Sequence, residues 1–148
     1  MIAPAPLPPA QPRATARRAL RFAGYAALFD LPDAGRDTIR RGAFAQTLAA
    51  REDPLPLLWQ HRADLRIGWI EAVSEDARGL RVIAAIDNPQ GAAALALARG
   101  TVTGLSFGYR ARVSRTGPAG RELLGLDLFE VSLVTHPMQH GARVHLVS

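Results

Sequence analysis

Apolar and polar positions divide most of the chain into short segments whose periods distinguish strands from helices. Alternation with period two, or a short apolar run bounded by turn residues, predicts a β-strand, whereas apolar residues three and four positions apart predict a helix. Six strands are predicted on this basis, at residues 21–30, 55–60, 67–74, 79–87, 103–114 and 126–135. Two helices are predicted, at residues 42–51 and 90–99.

Turn and cap residues fix several of these boundaries. The polar residues 75–78 join two strands as a hairpin, and the RTGPAGR segment at 115–121 predicts a turn before the last strand. The second helix is bracketed by Asn88 as N-cap, Pro89 at the first helical position and Gly100 just after its end. Because most connections are short, we expect an α+β fold: a small, mainly antiparallel β-barrel or curled sheet flanked by two or more helices.

The chain divides into a short arm and one folded domain. Residues 1–18 are rich in proline and alanine, with five prolines in the first twelve positions, and predict a flexible extended arm. Residues 19–148 are long enough for one domain with one core. No apolar run approaches the roughly 20 residues needed to cross a bilayer, and no signal peptide is recognisable, so we expect a cytoplasmic protein.

Composition limits the chemistry that the domain can perform. The chain contains no cysteine, which excludes disulfides, cysteine nucleophiles and thiolate metal sites and leaves serine, threonine, histidine and carboxylates. All 18 basic residues are arginines, and the net charge of +5 is spread along the sequence. Nucleic-acid binders usually cluster their basic residues with a recognisable motif, so this pattern weighs against nucleic acid and favours a generally basic surface.

A serine in the strand at 103–114 has the surroundings of a nucleophile. Ser106 shares its face of the strand with Arg110 and Arg112, while Gly104 and Gly108 flank it. The glycines would let a substrate backbone approach and leave amide N–H groups free for an oxyanion. A small residue on a bulged strand would show the same pattern without any catalytic role. Because more strand follows the serine, the nucleophile elbow of α/β-hydrolases does not fit.

A serine nucleophile needs a base, and His61 is the best candidate among four histidines. It stands alone at the end of the apolar strand at 55–60, where a structural histidine is an equally good interpretation. The other three lie in the last thirteen residues. His136 and His140 are separated by Pro137 and cannot bind a metal from one helix, so no metal site is predicted.

The last predicted strand carries a carboxylate in an otherwise apolar sequence. Glu130 shares a side with Leu128 and Ser132, and burial there would be costly without a partner. His61 as a catalytic partner and Arg110 as a structural one are both open. Ser132 is a rival nucleophile, but it lacks flanking glycines and ranks below the first serine.

The motifs LLWQH, GLSFGY and DLFEVSLVTHP, with an earlier GAF helix start, together resemble the prohead (capsid maturation) protease family of HK97-type tailed phages. The resemblance runs from about residue 21 to residue 138. It implies a serine endopeptidase with a fold related to the herpesvirus assemblins, in which Ser106 is the nucleophile, His61 the base and Glu130 the third member. Assemblins use a second histidine as third member, so Asp127 and His136 stay open as substitutes.

The resemblance also implies a biological setting. The substrate and partner would be the major capsid protein with its scaffold segment, carried on another chain, and self-association is left open. Cleavage would occur inside the immature capsid in a bacterial host, without cofactor, metal, membrane or nucleic acid. Relatives of this type also occur in gene transfer agents. The alternatives are a non-catalytic capsid assembly or scaffold-binding protein and a DNA-packaging accessory protein.

Overall fold

The computed structural model describes residues 2–5 and 19–148, so most of the predicted arm at 1–18 lies outside the described residues. Residues 2–5 are exposed and have no regular structure. The rest forms eight strands and two helices, in the order β1 (Leu20–Leu28), β2 (Asp37–Ile39), α1 (Ala45–Ala49), β3 (Pro56–Trp59), β4 (Arg62–Glu75), β5 (Gly79–Ile86), α2 (Ala92–Ala98), β6 (Gly104–Gly117), β7 (Gly120–Val134) and β8 (Val144–Val147).

All eight strands belong to one sheet. Their order is β2–β7–β3–β4–β5–β1–β8, and β6 pairs with β7. Most pairs are antiparallel, as expected, but β2 and β3 both run parallel to β7. The long β7 pairs with β2 near its start, at 121–123, and with β3 near its end, at 131–133. The sheet is therefore mixed, and its parallel pairs place the end of β3 beside the end of β7.

The sheet curls so that the start of β6 and the start of β8 lie side by side. The Leu105 N–H of β6 donates to the Ala142 carbonyl, and the Val144 N–H of β8 donates to the Thr103 carbonyl, both at 2.9 Å. The predicted curled sheet is confirmed. The predicted flanking helices are only loosely supported, because α1 and α2 are short, with five and seven residues.

The core fills the inside of this curl. At least six strands and one helix end contribute apolar side chains to it, including Phe22, Phe44, Leu57, Leu80, Leu105 and Leu133, each at most 2% exposed. Phe44 packs edge to face on Phe107, with ring centroids 5.4 Å apart. Each buried aliphatic or aromatic side chain contributes about 1.5–3 kcal/mol, so this layer of β6 and β7 is held firmly in place.

The predicted start of the second helix is wrong. Gly91, not Asn88, is the N-cap of α2. The Asn88 side-chain oxygen accepts the Gln90 N–H at 3.1 Å, and its carbonyl accepts the Gly91 N–H at 3.0 Å, so Asn88 stabilises a turn that precedes the helix. At the other end Gly100 has a φ of 73°, which confirms the glycine after the helix.

Six predicted strands are confirmed, with shifted boundaries. The strand predicted from residue 67 already begins at 62, because its exposed half alternates charged residues that carry little hydrophobic signal. The turn predicted at 115–121 narrows to the two residues between Gly117 and Gly120. The short strands β2 and β8 were not predicted. Within the described part of the chain, no helix combines the length and apolar character needed to cross a bilayer.

Candidate active site

Three neighbouring strands bring the predicted site residues to one face of the sheet. His61 follows β3, Glu130 lies in β7, and Ser106 lies in β6, with β7 in the middle. Along the β6–β7 ladder Ser106 is opposite Ser132 and Gly108 is opposite Glu130. Residues directly opposite each other in an antiparallel pair have Cβ atoms about 5 Å apart. Ser106 is diagonal to Glu130 across this ladder, a spacing of about 7–8 Å, although 24 positions separate the two residues along the chain.

His61 and Glu130 contact each other directly. The Nδ1 atom of His61 lies 2.5 Å from Oε1 of Glu130, and their side chains are 42% and 12% exposed. Hydrogen bonding to the carboxylate raises the pKa of His61 above its usual value, although burial opposes the shift. Because a carboxylate only accepts, Nδ1 carries the proton, and Nε2 of the neutral ring is the nitrogen that can accept another.

His61 occupies a strained hairpin turn between β3 and β4. Trp59 pairs with Arg62, and the two residues between them, Gln60 and His61, have φ values of 53° and 60°. Such turns normally favour Asn and Gly. The Gln60 side chain stabilises this one, since its Nε2 donates to Thr135 Oγ1 at 2.7 Å and its Oε1 accepts the Thr135 N–H at 3.1 Å. Nothing in the sequence indicated this contact, because the two residues are far apart along the chain.

Ser132 is completely buried and joins the two partners. Its Oγ accepts the backbone N–H of His61 at 3.1 Å and donates its own proton to Oε2 of Glu130 at 2.6 Å. The sequence pointed to Ser132 only as a rival nucleophile, not as a group between the base and the carboxylate.

Ser106 lies one strand away from this pair and is 4% exposed. None of the hydrogen bonds of residues 19–148 joins its Oγ to His61. The glycines on either side have crowded surroundings: a Cβ at Gly108 would lie 2.5 Å from Glu130 Oε1, and one at Gly104 would lie 2.6 Å from the Val134 carbonyl. The space above Gly108 is thus filled by the catalytic carboxylate candidate itself.

The alternatives for the third member have other surroundings. The Asp127 carboxylate binds Arg110 and Arg112, each at 2.9 Å. His136 is exposed in the bend after β7. The structure therefore places Glu130 rather than Asp127 against His61, and Arg110 does not take the Glu130 carboxylate. Among the described residues no group of three histidines or carboxylates could hold a metal ion.

Sequence comparison relates the chain to phage prohead proteases and to a herpesvirus capsid scaffolding protein. Residues 10–148 match the family described as caudovirus prohead serine protease. The prohead protease of Enterobacteria phage HK97 is 33% identical over 130 residues, which are 83% of this chain and 58% of that protein. The capsid scaffolding protein of equine herpesvirus 1 (strain Ab4p) is 38% identical over 81 residues, 53% of this chain and 12% of that protein. The chain thus spans less than two thirds of either relative.

Solved structures show the same fold at low sequence identity. The KSHV protease in complex with a hexapeptide phosphonate inhibitor has a TM-score of 0.61 and 16% identity, and the match covers 88% of this chain and 65% of the other. Varicella-zoster virus protease has a TM-score of 0.59 and 19% identity, with 86% and 63% covered. The expected relation to the herpesvirus protease fold is confirmed.

Proposed function

This chain belongs to the caudovirus prohead serine protease family, and we propose that it is a serine endopeptidase of capsid maturation that cleaves the scaffold segment of the major capsid protein during prohead assembly. One observation carries the proposal: the His61 and Glu130 side chains are hydrogen-bonded on the face of the sheet that also carries Ser106. A histidine oriented by a carboxylate beside a serine is the arrangement that activates a hydroxyl for acyl transfer.

The chemistry follows from the protonation of His61. Neutral His61 accepts the Ser106 hydroxyl proton at Nε2 while Oγ attacks the scissile carbonyl, and Glu130 stabilises the imidazolium that forms. The imidazolium then gives this proton to the leaving amine, and an acyl-enzyme remains. Water, activated by the same histidine, hydrolyses the ester. A raised pKa of His61 suits the acid step and requires a somewhat higher pH for the base step.

Backbone and arginine donors are proposed to stabilise the oxyanion. The predicted donors are N–H groups between Gly104 and Gly108, with help from Arg110 or Arg112. The Leu105 N–H already donates to the Ala142 carbonyl, so it is not available for this role. Both arginines are bound to one carboxylate and would have to share or leave it to reach a substrate.

Ser106 is a better nucleophile candidate than Ser132. The Ser132 hydroxyl is already committed as a donor to Glu130 and as an acceptor from the His61 backbone, and its side chain is completely buried. Ser106 has no such commitment among the described hydrogen bonds and faces the same pair from the next strand. The half-exposed His61 side chain marks the side from which a peptide would approach.

The partners are proposed from the relatives. The HK97 relative is named a prohead protease, and the equine herpesvirus relative is named a capsid scaffolding protein. We propose the major capsid protein and its scaffold segment as substrate, within the immature capsid. Self-association is also proposed, from a solved Kaposi's sarcoma-associated herpesvirus protease in complex with a dimer disruptor, which has a TM-score of 0.51.

Co-expression with the capsid protein tests the proposal. Mass spectrometry of the capsid protein should show removal of its scaffold segment with the wild-type chain and none with Ser106→Ala. Ser114→Ala is the matched control, because Ser114 lies exposed at the far end of the same strand, and it should cleave like wild type. Cleavage that survives Ser106→Ala would refute the serine mechanism. Capsid binding without cleavage by any form would favour the non-catalytic assembly protein.

A further inference from the structure

Ser132 makes contacts that join the backbone of the base to the side chain of the carboxylate. Its Oγ receives the His61 N–H at 3.1 Å, and its O–H points to Oε2 of Glu130 at 2.6 Å. The other carboxylate oxygen, Oε1, is 2.5 Å from His61 Nδ1. These three hydrogen bonds close a ring in which Ser132 fixes both ends of the His61–Glu130 contact.

The position of His61 needs such support. Gln60 and His61 both have a left-handed backbone conformation, which is unfavourable for residues other than glycine and asparagine. The turn has two side-chain supports from β7 and its C-terminal end. Gln60 is held by Thr135, and the His61 N–H is held by Ser132. Without the second, the Nδ1–Oε1 contact alone would hold His61 against Glu130.

We propose that Ser132 is a positioning residue, whose hydroxyl orients the Glu130 carboxylate and the His61 turn so that the imidazole faces Ser106. The catalytic part of this inference rests on the proposed function, whereas the positional part rests on the contacts alone. The neighbouring charges are otherwise engaged: on β4 Arg62 pairs with Asp64, and on β6 Arg110 pairs with Asp127 on β7. Glu130 is therefore the charged partner that faces His61.

Removal of the hydroxyl should loosen the carboxylate. With Oε2 no longer bonded, Glu130 can rotate and its contact with Nδ1 weakens. Since that hydrogen bond is the main cause of the raised His61 pKa, the pKa should fall. A residue that only filled space would leave the His61 titration where it is in the wild type.

Titration of the histidines by NMR tests this without any substrate. In full-length Ser132→Ala the His61 pKa should fall below the wild-type value. His61→Gln assigns the His61 signal. The matched control is Thr47→Val, which removes a different hydroxyl that contacts β7, the one that accepts the Leu128 N–H at 3.1 Å. An unchanged His61 pKa in Ser132→Ala overturns the proposal.

Cleavage kinetics give the second readout. In Ser132→Ala kcat should fall about tenfold, as expected for loss of one hydrogen bond to a charged group, with little change in KM. The acid limb of the pH profile should move to lower pH. Full kcat with an unmoved limb would refute the catalytic consequence.

The experiment separates this inference from the proposed function. If wild-type protein fails to cleave, or if Ser106→Ala cleaves, the proposed function fails and the NMR titration decides the positional part by itself. If Ser132→Ala does not fold, Ser132→Cys keeps nearly the same volume with a much weaker donor and acceptor. The same fall in the His61 pKa is expected there, and its absence counts against the proposal.

Discussion

A single methyl group at Gly108 should strongly reduce the proposed proteolytic activity without unfolding the protein. In Gly108→Ala the new Cβ would lie 2.5 Å from Glu130 Oε1 and 3.0 Å from Cγ of the same side chain. Ordinary contact begins at 3.4 Å, so the carboxylate must retreat by about 0.9 Å. The atom that retreats is the one that binds His61 Nδ1.

The magnitude follows from the displacement. A misplacement of about 1 Å in a catalytic group can lower the rate about 100-fold, which corresponds to about 2.7 kcal/mol of transition-state stabilisation. Folding should be nearly unaffected, because the nearest atoms belong to a side chain that can move and Gly108 does not have a positive φ. Alanine also restricts the unfolded chain, which offsets part of any strain.

The assay is kcat/KM on a peptide that spans the cleavage site, with thermal unfolding measured in parallel. Gly125→Ala is the matched control on the same pair of strands, since a Cβ there meets Val113 Cγ2 at 3.4 Å, an ordinary contact. It should keep wild-type activity. A folded Gly108→Ala variant with wild-type kcat/KM would refute the assignment of Glu130 as the orienting carboxylate.

Two further predictions concern pH and stability. Glu130→Gln should lower kcat about 100-fold. It should also move the acid limb of kcat/KM to lower pH, because a neutral amide oxygen is a weaker acceptor than the carboxylate that raises the His61 pKa. Because the folded pKa of His61 is raised, the His61–Glu130 contact stabilises the protein fully below about pH 6.5, and this stabilisation is lost as the pH rises through the folded pKa. The difference in melting temperature between wild type and Glu130→Gln should therefore shrink at high pH. A difference that stays constant with pH would contradict this prediction. Phe44→Ala should cost about 3–5 kcal/mol in urea unfolding, since Phe44 is fully buried against Phe29 and Phe107. The exposed Leu31→Ala control should stay within about 0.5 kcal/mol.

Local alternation was sufficient to predict the main strands but not their pairing. Strands such as β5 and β6 alternate apolar and small or polar residues, and this period is readable from the sequence alone. The parallel pairing of β3 with β7 joins residues more than 70 positions apart, and no local pattern encodes it. The three- and four-residue strands β2 and β8 are too short to show a period.

A bulge in β7 changes which residues share the face of Glu130. Strict alternation puts Leu128 beside Glu130, as the sequence predicted. In the structure the pairing of β7 with β6 skips Phe129, which is 54% exposed. Leu128 lies in the core instead and is 4% exposed. The same bulge brings Asp127 to the outer face, where it meets Arg110. A bulge adds one residue to one strand, so its position depends on the partner strand and cannot be read from β7 alone.

The candidate site shows where local rules and chemistry disagree. A two-residue turn with both φ values positive favours Asn and Gly, and each other residue there costs about 1–3 kcal/mol. This chain instead has Gln60 and His61 at those positions. Gln60 offsets part of that cost through Thr135, and Ser132 offsets more through the His61 N–H. The histidine could be predicted as a base from its residue type and setting, but its supports lie far away along β7 and beyond its end. Conflict between a local preference and the observed backbone is expected where a side chain must be held for chemistry, and here it coincides with the proposed base.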